Sequence, residues 1–320
     1  MFQSRLRPLP RANPTTTVQR PDFGDNNEEI DDESQEDIFS SYLAHLLPDD
    51  APSFHGDPGQ HLLYSSPRYG ELDIMVPSYP GESQNRSDEI AAGQTSKVDE
   101  GRKLFAHFLW SAAMVVADEI ELADEADSKN TWAVEGETVL ELGAGAGLPS
   151  IISALSKASA VTITDHPSSP ALSGAIKFNI SYNLSKRTPP LDQNVSIQPH
   201  EWGVLDDEFS IQKKGSFTRI IAADCFWMQD QHQNLARTMQ WFLAPGGRVF
   251  VVAGFHTGRP IVAGFIETVL ENGFVIESIY ERDAVERAED GSEIRREWMP
   301  VREGEVDRSR WCVVAILKRE

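Results

Sequence analysis

The stretch Thr138-Val-Leu-Glu-Leu-Gly-Ala-Gly-Ala-Gly147, followed by Leu148-Pro-Ser-Ile-Ile-Ser153, decides the fold of this chain. An apolar run carrying one acid, Glu141, ends in glycines at 143, 145 and 147. It reads as a buried parallel strand, a tight turn, and a helix whose first turn holds Pro149. Glycine tolerates positive φ and lets the backbone come close to a ligand. The helix N-terminus then offers N–H groups that have no partner within the helix.

The spacing separates two kinds of ligand. The dinucleotide fingerprint G-x-G-x-x-G/A wants a small residue at its sixth position. Here that position is Leu148, and the third glycine comes one residue early, at Gly147. The next strand, Ala160-Val-Thr-Ile-Thr, ends in Asp165, where a carboxylate can accept hydrogen bonds from both hydroxyls of a ribose. E-x-G-x-G-x-G with an acid ending the next strand resembles motif I of the seven-strand S-adenosylmethionine-dependent methyltransferases.

With 320 residues, 40% of them hydrophobic, the chain can bury a large core. No uninterrupted apolar stretch approaches the roughly 18 residues that span a membrane, and Met1-Phe-Gln-Ser-Arg-Leu-Arg is not a secretory signal. Cys225 and Cys312 are the only cysteines. Each lies beside an apolar run, so two buried thiols are expected and no metal site. A cytosolic location, with the nucleus as an alternative, follows from that reading. The net charge of −21 is uneven: Asp22 to Asp50 holds eleven acids and no Lys or Arg. Nothing supplies a concentrated basic stripe, which disfavours nucleic acid as substrate.

Residues 1–36 read as a disordered acidic leader. Ile38, Phe39, Tyr42, Leu43, Leu46 and Leu47 suggest a short amphipathic helix stopped by Pro48. His61-Leu-Leu-Tyr and Glu71-Leu-Asp-Ile-Met-Val suggest a hairpin, so 37–99 is an N-terminal extension. From about 100 to 320 helices and strands alternate: a helix over 103–122, strands near 138–142, 160–164, 195–198, 219–223 and 247–253, and helices over 148–157, 168–184, 231–243 and 260–271. This predicts an α/β fold, a parallel sheet with helices on both faces. Phe274-Val-Ile-Glu-Ser-Ile-Tyr and Trp311-Cys-Val-Val-Ala-Ile-Leu form a final antiparallel hairpin with a long charged connection over 281–310. Seven strands ending in such a hairpin is the seven-strand, Rossmann-like methyltransferase plan.

Further segments resemble one branch of that superfamily, the family 16 protein lysine methyltransferases, and within it the fungal nicotinamide N-methyltransferase-like and elongation-factor methyltransferases. They are Leu109-Trp-Ser-Ala-Ala, the pair Asn179 and Asn183, His200-Glu-Trp-Gly203, Ile221-Ala-Ala-Asp-Cys-Phe-Trp227, and Phe255-His-Thr-Gly-Arg-Pro260. The resemblance runs from about 100 to 320, more weakly over 38–76. It implies S-adenosylmethionine as cofactor, held by Trp110, Gly143, Ala144, Gly145, Asp165, Trp202 and Ala223. Trp202 would lie along the adenine, since aromatic faces stack on bases. Asp224, Trp227 and His256 become the catalytic candidates. Asp224 ends the fourth strand, where open α/β sheets place ligands. Trp227 offers a cation–π wall, and His256 could take a proton. Many relatives carry Tyr where this chain has Trp227, and tryptophan offers no hydroxyl. Arg259 is a rim candidate, and the two asparagines are expected to brace their helix rather than touch substrate.

The function implied is methyl transfer to a protein amine, a lysine or an N-terminal α-amine, with translation elongation factor 1-alpha as one substrate. A monomer acting on a protein, without nucleic acid or membrane, is the expected form. Two other readings stand beside it: N-methylation of nicotinamide or another small heterocycle, and a module that binds cofactor or partners without catalysis. The intact glycine motif, Asp165 and Asp224 argue against the last.

Overall fold

A computed structural model describes residues 5–9, 54–78, 108–125, 130–305 and 307–320. In chain order the strands are β1 (Leu6–Pro8), β2 (Phe54–His55), β3 (His61–Ser66), β4 (Gly70–Met75), β5 (Leu109–Trp110), β6 (Thr138–Leu142), β7 (Ala160–Asp165), β8 (Val195–Pro199), β9 (Phe217–Ala223), β10 (Leu243–Gly254), β11 (Phe274–Arg287), β12 (Glu293–Arg296) and β13 (Trp311–Arg319). The helices are α1 (Ser111–Glu125), α2 (Leu148–Leu155), α3 (Ala175–Asn183), α4 (Glu208–Gln212), α5 (His232–Phe242) and α6 (Arg259–Glu271).

The main sheet has eight strands in the order β12-β11-β13-β10-β9-β6-β7-β8. From β10 to β8 all pairings are parallel, while β10–β13, β13–β11 and β11–β12 are antiparallel. Side chains alternate between faces along each strand, and here both faces are buried. Val139, Ile221, Phe250, Val252 and Val314 pack into the layer with α1, α2 and α3. Leu140, Ile220, Val249, Val251 and Val313 pack into the layer with α5 and α6. Burial on both faces is why β6, β9 and β10 read as continuous apolar runs.

The expected β3–β4 hairpin forms, and its inner residues Leu62, Tyr64, Leu72 and Ile74 join the α1–α3 layer. Asn179 and Asn183 attach it. Asn179 Oδ1 accepts from the Met75 N–H at 2.7 Å, and its Nδ2 donates to the carbonyls of Met75 at 3.0 Å and Ala146 at 2.8 Å. Asn183 does the same to Asp73, accepting from its N–H at 3.0 Å and donating to its carbonyl at 2.8 Å. Both asparagines are buried, so α3 side chains complete the outer edge of β4 and one of them also fixes the glycine turn.

Two expectations need correction. The leader over 1–36 is not disordered throughout: Leu6–Pro8 adds a strand to β3, and Arg5 reaches Asp118 at 2.7 Å. The amphipathic helix over 38–47 lies outside the described residues. Of the helix expected over 103–122, residues 103–107 lie outside the described residues and the described part starts at Ser111, because the backbone of Leu109 and Trp110 is used in pairing with His55 and Phe54.

The connection over 281–310 is largely structured: β11 runs on to Arg287, and β12 folds back against it. The charges at its start, Glu281, Arg282 and Asp283, are buried. Arg282, at 1% exposure, is held by Asp118 and by Glu119 at 2.9 Å, while Glu281, wholly buried, pairs with Arg259 at 2.5 Å and Arg296 at 2.6 Å. Ionic pairs therefore do here what apolar residues do in the central strands, which is why hydrophobic patterning missed the element.

Asn179→Ala strips three hydrogen bonds from buried backbone and is expected to cost about 1–3 kcal/mol. A lower urea midpoint at unchanged m-value would show it.

Candidate active site

The parallel strands β6, β7 and β9 end along one edge, and each hands the chain to a residue that lines a common cavity. That cavity encloses about 740 Å³ including its open mouth, with Gly143, Gly145, Asp165, Trp202, Ala223, Asp224 and Cys225 in its wall. Phe108, Trp110, His166, His200, Trp227, Met228 and Gln231 complete it.

At the β6 end, Gly143 has φ +62°, and a Cβ there would meet Trp202 Cζ2 at 3.0 Å and Cys225 Sγ at 3.1 Å. The indole of Trp202 thus lies directly over the turn. Gly145, with φ +54°, would direct a Cβ into open space, so its bare backbone faces the cavity. Ala144 points the other way: it is buried, and its N–H bonds to the Thr164 carbonyl at 3.0 Å. At the β7 end, Asp165 accepts from the Gly145 N–H at 2.9 Å and the His166 N–H at 2.7 Å. Two backbone donors hold the carboxylate in place with acceptor capacity left over. A fixed carboxylate, a bare turn and an indole face together fit a ligand carrying a ribose and a base.

At the β9 end the chain leaves the sheet through Asp224, whose φ of 56° is uncommon for a residue with a side chain. Its N–H continues the ladder to the Val252 carbonyl at 2.8 Å. Oδ1 accepts from the Gly254 N–H at 3.3 Å and lies 2.8 Å from His256 Nε2, an approach that requires the histidine to carry a proton on Nε2. Oδ2 is buried and has no hydrogen-bond partner among the described residues. His256 stacks on Trp110 with centroids 4.5 Å apart. Trp227 stands half-buried in the same wall.

Nine of the ten residues singled out from the sequence fall on this site: Trp110, Gly143, Gly145, Asp165, Trp202, Ala223, Asp224 and Trp227 in the wall, and His256 behind Asp224. Ala144 does not. Arg259 is no rim residue: at 7% exposure it is clamped between Glu281 and Glu305. Sequence reading missed Phe108, His166, His200, Cys225, Met228 and Gln231. His166 and Cys225 are chain neighbours of singled-out acids, a signal that was there to use. Both cysteines are buried thiols, as expected.

Beneath the turn sits Glu141, 1% exposed, accepting from the N–H of Ser150 at 3.0 Å and from its hydroxyl. It serves the first turn of α2 in place of a side-chain cap, since Gly147 at the N-cap has none. Burial first, and then the nearby Asp165 charge, push its carboxyl up to about 8 against the pull of Ser150. The folded chain therefore keeps a proton that the unfolded chain releases above its ordinary 4.5, and this stabilisation is lost as pH rises through 8. Urea titrations across that window should show wild type losing stability relative to Glu141→Gln as pH rises, with no further change well above it.

A family model described as lysine methyltransferase matches residues 94–270. Protein N-terminal and lysine N-methyltransferase EFM7 of Candida glabrata is 30% identical over 200 residues, covering 60% of this chain and 73% of the relative. The protein of the same name from Aspergillus fumigatus is 30% identical over 215 residues, covering 64% and 80%. Among solved structures, a TehB-like SAM-dependent methyltransferase from Corynebacterium glutamicum overlaps 74% of this chain and 95% of its own, at 16% identity and a TM-score of 0.40. Because the family match runs from before Trp110 to beyond His256, across more than half of the 320 residues, this chain belongs to the lysine methyltransferase family and is a methyltransferase.

Proposed function

We propose that the chain transfers a methyl group from S-adenosylmethionine to an amine of a protein, a lysine side chain or an N-terminal α-amine. The observation that carries this reading is the Asp224 carboxylate: one oxygen is engaged by His256 and Gly254, and the other is buried in the cavity wall without a partner among the described residues. A buried acceptor costs free energy until a donor meets it, and a substrate N–H meets it. The relatives' name, protein N-terminal and lysine N-methyltransferase, agrees with such a donor.

Gly143, Gly145, Asp165, Trp202, Ala223 and Trp110 are the residues that would hold the cofactor. Its sulfonium supplies an already activated methyl group. Alignment of the amine is then the main task left to the protein. A free lysine is mostly protonated at neutral pH, with a reference value near ~10.4, so the site must favour the neutral amine. Enclosure between Trp110 and Trp227 removes water from the ammonium and lowers its proton affinity. Asp224 Oδ2 takes one amine N–H, which points the nitrogen lone pair, and His256 keeps the carboxylate from turning. The aromatic faces offset the desolvation of any positive charge that remains. Translation elongation factor 1-alpha is the protein to test first. Among the described residues no helix is long and apolar enough to cross a membrane.

Purified protein incubated with tritiated S-adenosylmethionine and a fungal lysate, recombinant elongation factor 1-alpha or nicotinamide tests the proposal. Label is expected in protein. In Asp224→Ala it should fall by at least ~10²-fold, the scale of a lost positioning contact, with S-adenosylhomocysteine still bound. Asp165→Ala should instead lose binding of the nucleoside. Label confined to nicotinamide would overturn the protein-amine reading.

A further inference from the structure

The family match begins at residue 94, yet the aromatic wall behind Asp224 continues into a residue that comes well before it. Phe54 pairs in register with Trp110 across β2–β5, and His55 with Leu109. The Phe54 ring lies 4.4 Å from that of Phe108 and 5.7 Å, edge-on, from that of Trp110. Phe108 in turn meets Trp110 at 6.0 Å with the two planes perpendicular. Trp110 is also stacked on His256 at 4.5 Å, and His256 Nε2 is 2.8 Å from Asp224 Oδ1. A continuous series of contacts therefore runs from Phe54 to the carboxylate.

The short β2 strand is also anchored from the side. His55 Nε2 meets the Ser111 hydroxyl at 3.0 Å, at the first residue of α1. Burial pushes the His55 imidazole down to about 4, so it is a neutral partner at physiological pH. Backbone pairing and this side-chain bond together fix where Phe54 can put its ring. An indole is free to turn about χ2 unless it is packed, and Phe54 and Phe108 both pack against Trp110, with planes at 60° and 90° to its own.

We propose that Phe54 is a positioning residue of the methyl-transfer site: its ring sets the plane of Trp110 against His256, and so the direction in which Asp224 faces the substrate amine. The inference rests on the cavity being the amine site. It makes a segment outside the family match a working part of that site. Phe54 does not itself line the cavity; it acts through Trp110, which does.

The test uses the full chain with Phe54→Ala, Phe54→Tyr and, as a control in the same N-terminal extension, Leu63→Ala. The readouts are kcat and KM on elongation factor 1-alpha or whichever protein band wild type labels, Tm, and near-UV circular dichroism with Trp110→Phe as reference. Phe54→Ala is expected to lose roughly ten- to a hundredfold in kcat, the scale of an ångström of misplacement, with KM little changed. It should also lose the near-UV signal that Trp110→Phe assigns to the indole. Phe54→Tyr, which keeps the ring, should restore both. Leu63→Ala should lower Tm and leave kcat intact. Unchanged kcat in Phe54→Ala, or kcat falling in step with Tm in both alanine variants, would overturn the proposal. If wild type methylates no protein at all, the amine-site reading itself fails. The near-UV spectrum then still decides whether Phe54 holds Trp110, and an unchanged spectrum sinks that claim.

Discussion

A parallel sheet covered on both faces has one place for polar chemistry, the edge where its strands end. In this chain the apolar interior positions of β6, β9 and β10 are committed to one of two layers. Gly143, Asp165 and Asp224 are the points at which three neighbouring strands escape that commitment. Asp224 shows how abruptly the escape is made: its N–H still belongs to the ladder, while its positive φ turns the side chain away from both layers. Holding that conformation costs on the order of 1–3 kcal/mol. It persists because the ladder bond, the Gly254 N–H and His256 all fix the same residue.

This geometry explains which parts of the site could be read in advance. Strand ends are visible in sequence, since an apolar run stops and a glycine or an acid follows. The turn at 143–147, the acid at 165 and the acid at 224 were legible for that reason, and they bring most of the cavity with them. What was not legible depends on contacts between distant segments. Ala144 sits between two cavity glycines, yet its side chain faces the core because the turn reverses direction there. Phe108 and the β2–β5 pairing depend on an encounter between residues about 55 apart, which no local pattern encodes. His256 was legible as a loop residue, but its bond to Asp224 was not.

The fold was read with similar success and failed for a similar reason. Elements stabilised by apolar burial announced themselves by period, while β12 and the far half of β11 did not. Arg282, Glu281 and Asp283 are as buried as any leucine of the core, at 1%, 0% and 1% exposure. Each is taken out of water only because opposite charges surround it, Asp118 and Glu119 for the arginine, three arginines for Glu281, and Arg310 for Asp283. A pattern of alternating Glu and Arg looks like surface to any hydropathy measure. Here it is an interior.

The position of β13 between β10 and β11 has a consequence for how the molecule comes into being. β11 and β12 precede β13 in the chain, but they touch the rest of the sheet only through it. During synthesis from the N-terminus, the strands carrying Gly143, Asp165 and Asp224 can pair as soon as they emerge. The charged arm over 274–296 has no strand of the main sheet to pair with until residues 311–319 have left the ribosome. Asp118 and Glu119 on α1 meet their partner Arg282 only across more than 160 residues of chain. Such distant closures are the slow steps of folding. The nascent enzyme thus assembles its cavity edge first and adds its charged arm to the sheet last.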